Sequence, residues 1–258
     1  MIGQVWKVAL ADGTLLVAKD AAGENAHLDL EGEMIRCLHG AAVAPIPAVI
    51  HSSARLLLQE FVPGEHLTPL AHADAGEVVA RLHAVRGPAF GFAGPTLNGS
   101  FVLPNGWHGR WIPFFRDYRI GHSADAAVAI GKLSPVFRER IERFRERLDD
   151  ILVEPEYPAL LHGDLWSANI LALDTRVTAL IDPSTLFGHP ELELAYAIGM
   201  GSLGDDFVRA YTRHHPIDEG FWSLRRHVYL TYPAIMHVYY FGERYEALLD
   251  ECLTASGV

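Results

Sequence analysis

Between His162 and Asp182 the chain sets reactive side chains on a strand–turn–strand frame that few folds supply. The run His162-Gly163-Asp164-Leu165-Trp166-Ser167-Ala168-Asn169 puts Asp164 and Asn169 five residues apart in a polar loop. Ile170-Leu171-Ala172-Leu173 then reads as a strand, Asp174-Thr175-Arg176 as a turn and residues 177–181 as the returning strand, since short apolar runs between turn residues favour extended pairing. A hairpin returns its end to its start, so Asp182 is expected beside Asn169. Two oxygen ligands next to a third carboxylate, Asp164, suit Mg²⁺, which takes few protein oxygens and shares its other positions with water and phosphates. Asp164, if not itself a ligand, is placed to accept a proton from an attacking hydroxyl.

The rest of the chain supplies a frame for this loop. Alternating residues on either side of Asp12-Gly13 predict a hairpin whose second strand ends at Lys19. Residues 27–39 repeat apolar side chains at helical intervals, carry Glu31 and Glu33, and run into Gly40 as a stop. Residues 48–50 and 55–61 read as two more strands before Pro63-Gly64 breaks the pattern. The boundary between two lobes is expected there, with residues 1–62 in the first and 63–258 in the second. Beyond it the grammar is mostly helical: 75–85, 107–130 and 136–152, with an irregular stretch over 86–105, three short strands within 158–190, and helix again from 191. The expected fold class is α+β and two-lobed, a small β-sheet N-lobe with one helix and a mainly helical C-lobe.

Composition excludes several functions. A formal net charge of −11 over 258 residues opposes a phosphate backbone, so nucleic acid is not expected as a partner. Two cysteines, Cys37 and Cys252, are too few for a disulfide framework and point to a reducing compartment. No apolar run is long enough to span a membrane, and the residues after Met1 lack the pattern of a secretory leader, so a cytoplasmic protein with no membrane partner is expected. Oligomeric state is left open.

His-x-Asp-x₄-Asn, thirteen residues, then Asp is the order of the catalytic and metal loops of protein kinases. Upstream, Val17-Ala18-Lys19 ends a strand as a phosphate-binding lysine should, and Glu33, favoured over Glu31, lies on a helix that could pair with it. Glu60, Phe61 and Val62 sit where a hinge would offer its backbone to the adenine of ATP, although a plain edge strand reads the same way. Loop residues such as Asp164 and Asn169 can also cap a neighbouring backbone, but the ordered set argues for chemistry. Trp166 is either a core aromatic or a platform for a sugar. His214, His215, His227 and His237 show no paired metal spacing and are read as structural or surface; the aromatic set Tyr229, Tyr232, Tyr239, Tyr240 and Phe241 is read as core.

The HGDLW run, with Asp182-Pro183-Ser184 and Phe187-Gly188-His189-Pro190-Glu191-Leu192-Glu193-Leu194-Ala195, closely resembles the fructosamine kinase (ketosamine kinase) family, in the aminoglycoside phosphotransferase-like branch of the protein-kinase-like fold. Phe90-Gly91-Phe92, Asn98-Gly99-Ser100, Asn105-Gly106-Trp107 and Phe241-Gly242 resemble it too, so the likeness covers nearly the whole chain. The resemblance implies ATP- and Mg²⁺-dependent phosphorylation of a sugar hydroxyl on a small-molecule or protein-bound ketosamine, followed by loss of the sugar phosphate and restoration of the amine. It gives Asp164 the catalytic role, Lys19, Glu33 and the segment Glu60-Phe61-Val62 the nucleotide, and Asn169 and Asp182 the metal. Trp166, His189 and Asn98 are candidate substrate contacts, His189 also bracing the metal loop with Glu191. The family has a helix and a strand ahead of the point where this chain begins, so the phosphate-covering loop is expected to be reduced to Ile2-Gly3-Gln4-Val5 or cut away. Ala168 stands where glycine is usual and Glu193 where Asp is common. The competing expectations are a kinase of an aminoglycoside, choline or thiosugar on the same fold, and a non-catalytic nucleotide-binding protein.

Overall fold

A computed structural model of the chain describes residues 4–21 and 26–258. Gln4–Ala9 (β1) and Leu15–Asp20 (β2) pair antiparallel around a turn in which the Thr14 N–H bonds the Asp12 carboxylate at 2.9 Å and Gly13 takes φ +87°. Leu28–Ala41 (α1) buries Leu28, Met34, Ile35 and Leu38, the i, i+3, i+4 face expected of it. Its stop comes two residues later than Gly40 predicts, at Ala42 in the left-handed region. Val49–Ser52 (β3) and Leu56–Glu60 (β4) complete a sheet of order β1-β2-β4-β3, on which α1 packs. Glu65–His66 (β5) already pairs with the second lobe.

His72–His83 (α2) follows. The stretch read as irregular holds three three-residue strands, Phe90–Phe92 (β6), Thr96–Asn98 (β7) and Phe101–Leu103 (β8), and a fourth, Gly106–His108 (β9), follows at once. Glycine, proline and asparagine hide strands this short, whose pairing comes from tertiary contact and not from propensity. The helix expected from Trp107 begins instead at Trp111 because Trp107 and His108 are committed to β9. It runs as Trp111–Phe114 (α3), a π-helical turn Phe115–Gly121, and His122–Ala129 (α4). Pro135–Ile151 (α5) starts at Ser134, whose side chain accepts from the Phe137 N–H.

Ala159–Leu161 (β10), Ile170–Leu173 (β11), Arg176–Leu180 (β12) and Leu186–Gly188 (β13) frame the polar loop, one strand more than the apolar runs predict. β11 and β12 form the expected hairpin, and β5 adds to β11, tying the inter-lobe segment to the loop. β10 and β13 join β6 and β9 in the order β10-β13-β6-β9. Pro190–Gly199 (α6), Asp205–Thr212 (α7), Arg226–Phe241 (α8) and Glu246–Ala255 (α9) enclose the lobe. The result is a two-lobed, kinase-like α+β fold, with Trp111, Phe114, Phe115 and Tyr229 buried in the centre of the helical lobe. Only four residues of β13 and its approach separate Ser184 from His189, leaving no long segment after Asp182 on which to lay a peptide. Among the described residues no helix is long and apolar enough to cross a membrane.

Candidate active site

The loop between β10 and β11 depends on one close approach. Gly163 takes φ +87°, and a Cβ there would lie 1.8 Å from the Ser184 carbonyl oxygen, so only glycine fits. The backbone on either side is held by Glu193 on α6, whose carboxylate accepts from the Gly163 N–H at 2.5 Å and the His162 N–H at 3.3 Å. Glu193 is itself buried against His83 at 2.8 Å, and His83 reaches the Tyr211 hydroxyl at 2.8 Å. Burial pushes the Glu193 carboxyl up, but the His83 imidazole and the loop amides outweigh it and hold it below the ordinary range. His162 is fully buried with Nε2 2.9 Å from the Ile181 carbonyl, and burial lowers its pKa. The loop's polar atoms are therefore satisfied inside the lobe.

The same loop turns Asp164 and Asn169 toward Asp182. The Asn169 amide donates to the Asp164 carboxylate at 3.0 Å, to the Asp164 carbonyl at 2.9 Å and to the Asp182 carbonyl at 3.4 Å. Asp182 adopts φ +53°, uncommon for a residue with a Cβ, and leaves its side chain half exposed. Burial lifts the Asp164 carboxyl to about 7, with Asp182 and Glu193 adding to the rise and hydrogen bonds from Asn169 and Tyr196 opposing it. A carboxyl in that range exchanges protons readily near neutrality.

From the N-lobe, Lys19 pairs with Glu31 at 2.5 Å and also bonds Asp182. Burial alone would lower the ammonium pKa, but the two carboxylates raise it. Glu31, and not the expected Glu33, is thus the lysine's partner: at the start of α1 it faces the sheet, whereas Glu33, two residues on, is turned to solvent. Glu31→Gln is expected to cost about 1–3 kcal/mol in denaturant unfolding by stripping a buried cation of one partner, and Glu33→Gln less than about 0.5 kcal/mol. The reverse ranking would return the pair to Glu33.

Two cavities meet at Asp164. One, a cleft between the lobes, is lined by Lys19, Glu31, Asn169, Asp182 and Trp166, with Leu97, Gly99 and Ser100 from the β7–β8 hairpin. The other penetrates the helical lobe past Tyr196, Tyr232, Met236 and His237, with Asn98 at its rim. Tyr240 fixes that rim: its hydroxyl donates to the Asn98 carbonyl at 2.5 Å and accepts from the N–H groups of Ser100 and Phe101 at 3.1 and 2.9 Å.

Several expectations change here. His189 lines neither cavity; it is the N-cap of α6, accepting from the Glu191 N–H at 3.1 Å among Trp111 and Tyr229, and burial drives its pKa down to about 3. Phe90, Phe92, Phe101 and Trp111 are core. Tyr232, Tyr240 and His237, expected as core or surface, line the inner cavity, because helical spacing is the same for a residue facing a core and one facing a void. Glu60, Phe61 and Val62 close β4 outside the walls of the cleft, the Phe61 N–H bonded to the Leu15 carbonyl at 3.3 Å. Ile2 and Gly3 lie outside the described residues; Gln4 and Val5 belong to β1.

Residues 1–255 match the family described as fructosamine kinase. A probable ketoamine kinase of Enterococcus faecium is 30% identical over 202 residues, covering 78% of this chain and 71% of its own length. The chloroplastic protein-ribulosamine 3-kinase of Arabidopsis thaliana is 29% identical over 180 residues, covering 68% of this chain and 54% of its own. A Thermobifida fusca protein with a provisional fructosamine-3-kinase designation superposes with a TM-score of 0.89 at 29% identity, over 98% of this chain and 88% of that one. An aminoglycoside phosphotransferase bound to AMP-PNP and hygromycin B shares the fold at a TM-score of 0.69 and 18% identity, covering 100% of this chain and 95% of that one.

Proposed function

Because the chain belongs to the fructosamine kinase family, a family of ATP-dependent phosphotransferases, we propose that it phosphorylates a hydroxyl of a ketosamine, held in the inner cavity while ATP occupies the cleft. The observation that carries this reading is the position of Asp164 on the wall of both cavities. A base there meets the acceptor hydroxyl on one side and the phosphoryl group on the other. In the proposed step the hydroxyl oxygen bonds to the γ-phosphorus, the bond from phosphorus to the β,γ-bridging oxygen breaks to release ADP, and Asp164 takes the hydroxyl proton. Lys19, braced by Glu31, neutralises the α- and β-phosphates. The exposed ring of Trp166 is assigned to the mouth of the cleft. A sugar phosphate so formed would leave the amine by elimination, which makes the reaction a deglycation.

The residues at the cleft fit Mg²⁺. The Asn169 amide nitrogen is engaged by Asp164, which turns its oxygen away from that carboxylate, and the half-exposed Asp182 carboxylate stands beside it. Together they provide the sparse oxygen set this ion accepts. When bound, the metal would offset charge on the transferring phosphate. Asp182→Ala is expected to abolish Mg²⁺-dependent nucleotide binding in calorimetry, and Asn169→Ala to weaken it less, since a carboxylate contributes a full charge and an amide a dipole. Equal ATP affinity in wild type and the Asp182 variant would remove the metal assignment. The function itself is tested by coupled ADP release over ribulosamines, fructosamines and aminoglycosides; turnover confined to aminoglycosides would overturn it.

A further inference from the structure

Arg119 has no part in the chemistry proposed above, yet it is almost completely buried, at 1% exposure, and lines the same inner cavity as Asp164. It comes from the π-helical turn Phe115–Gly121, and such turns often mark functional positions. Its Nη1 donates to the carbonyls of Pro104 and Tyr118, both at 3.1 Å, and its Nη2 to the Asn105 side-chain oxygen at 2.6 Å. The guanidinium also lies over the Phe114 ring, 4.6 Å from its centroid. Among the described residues no carboxylate pairs with it, and its three hydrogen bonds come from Nη1 and Nη2, none from the Nε–H. The two acidic residues that share the cavity are committed elsewhere: Glu193 to His83 and the loop amides, Asp164 to Asn169 and Tyr196. A buried cation held only by neutral dipoles is costly, and a ligand anion would relieve that cost.

We infer that the acceptor is an anionic ketosamine, whose carboxylate or phosphate is received by Arg119 in the wall of the inner cavity. The inference rests on the ketosamine kinase reading and narrows it. A planar guanidinium with free N–H groups binds either oxyanion in a forked arrangement, so two sources are possible: the amino-acid part of a low-molecular-weight adduct, or a phosphate on the distal carbon of the sugar. The same cation disfavours polycationic acceptors such as aminoglycosides.

The test compares matched acceptors on the wild-type enzyme: N-ribulosylglycine against N-ribulosylglycinamide, and the methylamine adduct of ribulose 5-phosphate against that of ribulose. For at least one pair the anionic member is expected to show a KM lower by about 10-fold or more, as charged hydrogen bonds allow. Whichever pair shows it identifies the source of the anion. Arg119→Met should erase that preference by raising KM for the anionic acceptor with kcat little changed, the pattern of a lost binding contact. Arg119→Lys should keep part of it. KM values within about three-fold for both pairs in the wild type would overturn the inference, whatever the variants do, and so would an Arg119→Met enzyme weakened equally toward anionic and neutral acceptors. Phosphorylation of none of the four would instead overturn the ketosamine reading itself.

Discussion

Asp164→Asn is expected to lower turnover by about 10²- to 10⁴-fold, the loss associated with a positioned general base, while ATP binding by calorimetry stays near the wild-type value. The substitution is close to isosteric, and the new side-chain oxygen can still accept from the Asn169 amide, so the loop should keep its shape. What it removes is the capacity to take a proton from the acceptor. Lys19, Asn169 and Asp182, the residues assigned above to the nucleotide and its metal, remain in the wall of the cleft. Turnover within a few-fold of wild type would assign deprotonation elsewhere, and a parallel loss of ATP affinity would make Asp164 a nucleotide ligand.

The second large effect is expected in stability. Glu193→Ala should destabilise the protein by about 3–5 kcal/mol, since it removes a buried carboxylate that accepts from His83 and two loop amides and leaves each of those donors unpaired. The Glu193 and His83 side chains are at 1% exposure or less, so solvent cannot replace what is lost. The two amides, of Gly163 and His162, fix the loop ahead of Asp164. Glu193→Gln keeps one acceptor and should lose less, whereas Glu193→Asp keeps the charge on a shorter stem. In urea unfolding Glu193→Ala is expected to lie below Glu193→Gln, and both below wild type; an alanine variant within about 1 kcal/mol of wild type would show that the network is not structural.

The catalytic loop was legible in the sequence because its geometry is local. Asn169 and Asp182 are joined by a strand, a turn and a strand whose pairing brings them together, and Asp164 stands five residues before Asn169 in the same loop. Lys19 could be placed by its strand, but its partner could not: Glu31 and Glu33 share a helix, and which of them meets the lysine depends on how α1 rotates against the β2–β4 sheet. The acceptor cavity was illegible for a related reason. Tyr196, Tyr232, His237 and Arg119 come from α6, α8 and a π-helical turn that no apolar spacing announces. His189 misled because it is adjacent in sequence to the metal loop, while Pro190 behind it makes it a helix cap.

Tyr240 has a consequence for how the enzyme is made. The β7–β8 hairpin emerges during synthesis long before α8, yet three of its backbone groups, those of Asn98, Ser100 and Phe101, are held by that one hydroxyl. Two paired strands alone are marginal in water. Until α8 docks, the nascent chain therefore carries every residue of the loop around Asp164 but lacks the bonds that fix the rim of the inner cavity and the wall that Tyr232, Met236 and His237 supply. Lys19 and Asp182, whose pairing spans the cleft, both emerge before α8 does, so the acceptor rim should be completed in folding after the cleft.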